Sequence, residues 1–423
     1  MVTSGAIKSR IRIALIALID GNRILTPAVL QPACSKPVAA KMNETTTSLG
    51  GPDLRAEALV AQFERAGYVR AAPPLLQPAD PFLDLSGEDI RRRMYLTSDA
   101  EGRELCLRPD LTIPVALQYL NSSAAGDPAG FCYLGPVFRQ RGADSGEFLQ
   151  AGVESFGRKD QAAADAEMLA LGLEACAHYG IDAPEIHMGD VALFSALIAK
   201  LDLPPDWRRR LIKDFNRKAN LASDLDRLAA DAARTRPQYQ GLLAALAGSD
   251  PAAAHALVTD LLSISGISAT GGRSVDEIAD RFLEQAARGG ATGLPGEMRS
   301  LIERFLAISG DPDEAAADLR ALAGDSGTAI DSVIDLFESR TGFLAARGVD
   351  VSRIRFSTAF GRGLDYYSGF VFELHPPRGG GGRQFVAGGR YDALLTRLGS
   401  SMSIPAVGFA VWIERLVVAA RTA

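Results

Sequence analysis

Strand-like sequence occurs in two blocks, one before residue 160 and one from Ile354 onward. Between them, residues 200–345 are rich in Ala, Leu, Asp and Arg with helical periodicity. That order constrains the fold more than any other feature. Strands from both ends of the chain must share a sheet, which predicts an α+β architecture: a sheet interrupted by a helical insertion. The periodicity assigns 42–199 and 346–423 to the core and 200–345 to an insertion of five to eight helices.

Within the first block, Asp53 reads as the N-cap of an amphipathic helix carrying Leu54, Leu59 and Phe63 and ending at Gly67. YVRAAPPLLQ follows as an extended segment, because Pro73 and Pro74 exclude a helix. RRMYLTSDAEGRELCL reads as a hairpin around an Asp-Ala-Glu-Gly turn, and residues 130–157 as strand, loop, strand. A long helix is expected over 160–179. After the insertion come IRFSTAFG, DYYSGFVFELH and a glycine-rich run to GGRYDALL. A last strand and helix, AVGFAVWIERLVVAARTA, complete the pattern.

Residues 1–41 differ from the rest, with six Lys/Arg against one acid. Their apolar run, Ile13 to Ile19, is too short to span a bilayer, where about 20 residues are needed. We read 1–41 as a disordered or non-native extension and Met42 as the natural start. With 423 residues the chain has length for two or three domains. Its net charge of −6 supplies no global attraction to nucleic acid. Cys34, Cys106, Cys132 and Cys176 form no CxxC pair, which argues against zinc or a disulfide scaffold and for a reduced, cytoplasmic protein. His178, His187, His255 and His375 are scattered without a catalytic or metal-ligand spacing, and each reads as a structural or surface histidine.

The densest chemical signal is four separated segments that place charged and phenolic side chains in apolar strands. Arg108, Asp110 and Thr112 sit in LRPDLTIP, and Arg139, Gln150 and Glu154 on the 133–157 hairpin. Arg362, Asp365, Tyr366 and Tyr367 sit in GRGLDYYSG, and Arg390, Tyr391 and Asp392 in GGRYD. Charges in strands are costly unless paired or facing a wet cavity. Singly, each segment is accounted for by a buried ion pair. Together they point to a polar pocket on one sheet face, because Gln150, Gly152 and Glu154 alternate with Ala151 and Val153. Such a pocket suits a zwitterion with a polar tip: carboxylates and phenols for the cation, arginine for the carboxylate. GGGG at 379–382 and GG at 388–389 match neither GxGxxG nor a P-loop and read as hairpin glycines.

Over residues 50–421 these segments resemble the class II aminoacyl-tRNA synthetase core, specifically the histidyl-tRNA synthetase lineage. GPVFR with QAGVESFG is similar to its second class motif, and VGFAVWIERL to its third. GYVRAAPPLL is similar to the first, dimer-forming motif, while GRGLDYYSG and GGRYDALL resemble the two histidine-specific signatures. The resemblance implies an antiparallel sheet core flanked by helices, and a histidine site on it. Glu154 and Tyr367 would hold the imidazole with Tyr391 closing that side. Asp110, Thr112 and Gln150 would meet the α-amino group, and Arg362 the carboxylate. Arg139 and Tyr366 complete the expected histidine-binding set. Asp110 stands where the synthetases usually carry Glu.

Three further departures weaken an amino-acid-activating reading. The sequence ends after IERLVVAARTA, where the synthetases continue into an anticodon-binding domain. SGEF replaces GRxREF after Arg139, removing an arginine that would neutralise ATP phosphates. Trp412 stands where the third motif usually has glycine, and an indole there occupies nucleotide space; the alternative is that Trp412 is simply a core residue. This pattern resembles the synthetase paralogues that serve as regulatory subunits of ATP phosphoribosyltransferase in histidine biosynthesis. The resemblance implies allosteric regulation rather than catalysis, L-histidine as effector, and no cofactor or metal. It further implies a short-form catalytic subunit as partner in a hetero-octamer of four plus four, self-dimerisation through the class II core, and neither nucleic acid nor membrane as partner. The rival readings are a histidyl-tRNA synthetase or other amino-acid-activating ligase, and a stand-alone histidine sensor.

Overall fold

The structure, a computed structural model, describes residues 53–422 except 86–87, 143–144, 204, 216, 234–255, 257–258, 261–295, 365 and 378–381. The expectations for 1–41 and Met42, for Asp365 and for most of the GGGG run lie outside the described residues.

Helix α1 (Leu54–Arg65) starts where the sequence places it. Asp53 Oδ1 accepts from the backbone N–H groups of Arg55 and Ala56, both at 3.1 Å, satisfying first-turn donors that a helix otherwise leaves unpaired. Ala66 is the C-cap, and Gly67 follows at φ +100°, a conformation that glycine adopts without strain. The expected hairpin forms as β3 (Tyr95–Ser98) and β4 (Glu104–Leu107), with Asp99 Oδ1 accepting from Arg103 N at 2.8 Å across the turn. These strands, with β2 (Leu76–Pro78), make a small three-stranded sheet in the order β2-β4-β3.

The main sheet has nine strands in the order β1-β5-β6-β12-β11-β10-β7-β9-β8. They are β1 (Val69–Arg70), β5 (Ala129–Phe138), β6 (Glu147–Phe156), β7 (Glu185–Asp190), β8 (Ser309–Gly310), β9 (Ile354–Ser357), β10 (Phe370–His375), β11 (Val386–Arg390) and β12 (Ala406–Trp412). The interior of this sheet is antiparallel, while β1–β5 and β7–β9 pair in parallel. Strands from both ends of the chain therefore interleave: β6 pairs with β12, and β7 with β10. Long helix α2 (Gln161–His178) and α1 cover one face, where Ala151 and Val153 join the larger apolar core. The opposite face carries Gln150, Gly152 and Glu154.

The 200–345 stretch is not helical throughout its described part. It holds helices at Pro205–Asp214, Lys218–Ala233, Gly296–Ala307, Pro312–Ser326 and Asp331–Ala346, and also β8, which pairs with β9. The last helix packs on α2 through a buried charge network. Arg340, 1% exposed, donates from Nε to Asp165 (2.9 Å) and from Nη1 to Asp190 (2.8 Å), and Arg390 Nε takes the other Asp165 oxygen at 2.9 Å. Asp190 also caps the helix Val191–Lys200. Removing one member leaves a buried charge unpaired. Arg340→Ala is expected to lower the unfolding free energy by about 3–5 kcal/mol, read as a shifted urea midpoint.

Candidate functional site

On the sheet face opposite α1 and α2, small side chains leave a hollow. Across adjacent strands, Gly152 pairs with Ala410, Ala410 with Ala387, and Ala387 with Glu373. Larger groups rise at the ends of these rows, including Gln150 opposite Trp412. The result is a cavity of about 370 Å³, within the roughly 300–1,000 Å³ that small-molecule sites occupy. Gly408 is required here: a Cβ would overlap Glu154 Oε2.

Eight of the nine residues expected to bind histidine line this one cavity. Asp110 and Thr112 come from the turn into the helix Thr112–Leu120, Arg139 from just beyond β5, and Gln150 from β6. Arg362, Tyr366 and Tyr367 come from the loop before β10, and Tyr391 from just beyond β11. Glu154 lies beneath the lining. It is fully buried and accepts from Thr112 Oγ1 (2.7 Å), Tyr133 Oη (3.2 Å) and Tyr391 Oη; of these residues Thr112 and Tyr391 line the cavity. Burial pushes its carboxyl up to about 8 despite those bonds, with Asp110 adding repulsion.

Three other sequence candidates are placed elsewhere. Arg108 ties β5 to the segment between β1 and β2, donating to Pro136 O at 2.8 Å and Pro73 O at 2.5 Å. Arg390 belongs to the Asp165 network, and Asp392 pairs with Arg390 while accepting from Ala406 N at 2.8 Å. The structural reading of these three is the one observed.

Two acceptors in the wall are buried without a protein donor: Asp110 Oδ2 and Gln150 Oε1. An unsatisfied buried polar atom costs about 1–3 kcal/mol, so both call for N–H donors from whatever fills the cavity. Burial raises the pKa of Asp110, against the stabilising pull of Arg139 and of the Ile113 and Thr112 amides. Arg362 supplies the opposite sign. Burial disfavours its charge, but Tyr367 and Glu373 hold its pKa above the usual value. A third chemistry gathers around Trp412. Arg415 lies over the indole at 4.6 Å and donates to Gln384 O at 2.6 Å. Burial, with Arg141, Arg383 and Arg139 nearby, lowers its pKa to about 10. Trp412 is thus part of the cavity wall, not a remote core residue.

Arg93, Glu373, Arg383 and Gln384 also line the cavity and were not singled out from sequence. For Glu373 a signal existed, since it is the one acid in the apolar strand FVFELH. Among the described residues no helix is long and apolar enough to cross a membrane, and no cluster of His, Cys, Asp and Glu could hold a metal ion.

The histidyl-tRNA synthetase family model matches residues 53–270 and 254–416. A protein of Brucella canis named ATP phosphoribosyltransferase regulatory subunit is 41% identical over 345 residues, 81% of this chain and 91% of that protein. The chain belongs to the histidyl-tRNA synthetase family, among relatives named as ATP phosphoribosyltransferase regulatory subunits. Solved structures agree on the family fold. An ATP phosphoribosyltransferase regulatory subunit/histidyl-tRNA synthetase from Bacillus halodurans aligns with TM-score 0.58 at 21% identity, covering 86% of this chain and 78% of that one. A histidine–tRNA ligase subunit from Alicyclobacillus acidocaldarius aligns at 0.53 and 25% identity, covering 93% and 99%. In the histidyl-tRNA synthetase family, then, this chain carries the shared class II fold with an indole in the cavity wall.

Proposed function

We propose that this chain regulates an ATP phosphoribosyltransferase without catalysing a reaction itself. It binds L-histidine in the cavity, activates a short-form catalytic subunit, and transmits feedback inhibition. The observation that carries the ligand reading is the pairing of unsatisfied acceptors, Asp110 Oδ2 and Gln150 Oε1, with a charged Arg362 in the same cavity. An α-ammonium supplies donors to the first two, and an α-carboxylate is the natural partner of the guanidinium. Tyr367, Tyr391 and the Glu154 behind them leave a polar recess for an imidazole. The names of the relatives support the regulatory role.

Regulation then follows from linkage. Histidine must bind the inhibited assembly more tightly than the active one, and a coupling of about 1–3 kcal/mol changes the relevant affinities 5–150-fold. The assembly we propose has four of these chains, dimerised through their class II cores, with four catalytic subunits, in the cytoplasm. Mixing the full chain with a short-form catalytic subunit tests this: we expect co-elution, phosphoribosyl transfer to ATP only in the mixture, and inhibition by histidine. Transfer that is indifferent to this chain contradicts the reading.

A second reading, an amino-acid-activating ligase, is favoured by Arg139 and Arg415, which both reach the cavity. Against it, Trp412 fills part of the wall where these arginines converge. Histidine-dependent exchange of pyrophosphate into ATP separates the two.

A further inference from the structure

The row of paired residues across the cavity floor does not stop at the cavity. Glu373 on β10 lies opposite His187 on β7, and His187 opposite Arg355 on β9, so one sheet face continues outward from the site. Glu373 bridges the two regions. Its Oε1 accepts from Arg362 Nε at 3.2 Å, and its Oε2 lies 2.9 Å from His375 Nε2. His375 in turn lies against His187, ring centroids 4.7 Å apart, and His187 sits 3.5 Å from Glu185, which also pairs with Arg355.

The consequence falls on Arg362. A guanidinium can present either of two edges to a carboxylate, and a two-point grip needs the correct one. Glu373 occupies the Nε edge, and Nη1 donates to Tyr367 Oη at 2.7 Å. Among the described residues Nη2 has no hydrogen-bond acceptor, so the Nη1/Nη2 end is the edge left for a ligand. Glu373 is itself held on its far side by His375, and burial opposes its charge while His375 and Arg362 keep its carboxyl ionised, with its pKa lowered.

We propose that Glu373, braced by His375, is the positioning residue that aims Arg362 at the ligand's carboxylate and so sets the cavity's preference for a free amino acid over its alcohol. This rests on the reading of the cavity as an amino-acid site.

The test is calorimetric titration of the full chain with L-histidine and with L-histidinol, in which CH₂OH replaces the carboxylate. The wild-type protein is expected to prefer histidine by about tenfold or more. Glu373→Ala should reduce that preference to about threefold or less, weakening histidine binding more than histidinol binding. Glu373→Gln keeps an oxygen for Arg362 Nε and should retain most of the preference, a rescue that a merely structural role does not predict. His375→Gln removes the brace less drastically and should narrow the preference part-way, so the test survives if Glu373→Ala does not fold. A wild-type ratio in folded Glu373→Ala and His375→Gln proteins overturns the positioning role alone. Failure of the wild-type chain to bind histidine overturns the amino-acid reading, and this inference with it.

Discussion

Arg362→Gln is expected to bind histidine on the order of 100-fold more weakly than the wild-type chain. Truncating one partner of a buried, hydrogen-bonded charge pair costs about 2–5 kcal/mol, and 100-fold is near the lower half of that range. The guanidinium is 10% exposed and already oriented by Glu373 and Tyr367, so little ordering is needed when a carboxylate arrives. Assembly with the catalytic subunit should survive, because Arg362 lies inside the cavity rather than on an outer surface. Unchanged affinity in the variant would remove Arg362 from the site.

The second large effect concerns pH and Glu154. Its carboxyl is raised to about 8 in the folded chain, first by burial. Between the ordinary carboxylate range and that value, the folded protein holds a proton the unfolded chain has released. The associated stability is therefore fully present below the ordinary range and is lost as pH rises through about 8. At about 1.4 kcal/mol per tenfold change in proton affinity, the loss is about 5 kcal/mol. Glu154→Gln has no proton to lose. It should match the wild type near pH 5 and exceed it near pH 9, with the difference opening between those values in thermal melts. Parallel melting profiles across the range would mean that Glu154 is not held as the acid. Burial sets the direction and the like-charged Asp110 adds to it, together outweighing the hydrogen bonds from three hydroxyls, which favour the ionised form.

Strand parity explains most of what could be read in advance. On β6 the alternation of Gln150, Gly152 and Glu154 with Ala151 and Val153 places the polar row on one face, and the fold keeps it there. The same parity separates Tyr391 from Arg390. Ala387, Gly389 and Tyr391 alternate with Gly388 and Arg390 along β11, so one set faces the cavity and Arg390 meets Asp165 behind it. The composition of GGRYD alone groups all its polar residues together. Glu373 escaped notice for a different reason: a single acid in an apolar strand carries no sign of which partner it will meet, and Arg362 approaches from a loop. Arg340 was equally hidden. Within its own helix it looks like any solvated arginine, and its burial depends on Asp165 and Asp190, more than a hundred residues away in sequence. The parallel pairs β1–β5 and β7–β9 are long-range choices of the same kind, which no local pattern of residues encodes.

The central claim, a histidine-binding chain that regulates rather than activates its ligand, is tested most directly by one paired measurement. The full chain is titrated calorimetrically with L-histidine, and the same preparation is assayed for histidine-dependent exchange of pyrophosphate into ATP. Saturable histidine binding at one site per chain and no exchange above background are expected. Clear histidine-dependent exchange would contradict that claim, and would mean that Arg139 and Arg415 still serve a nucleotide despite Trp412.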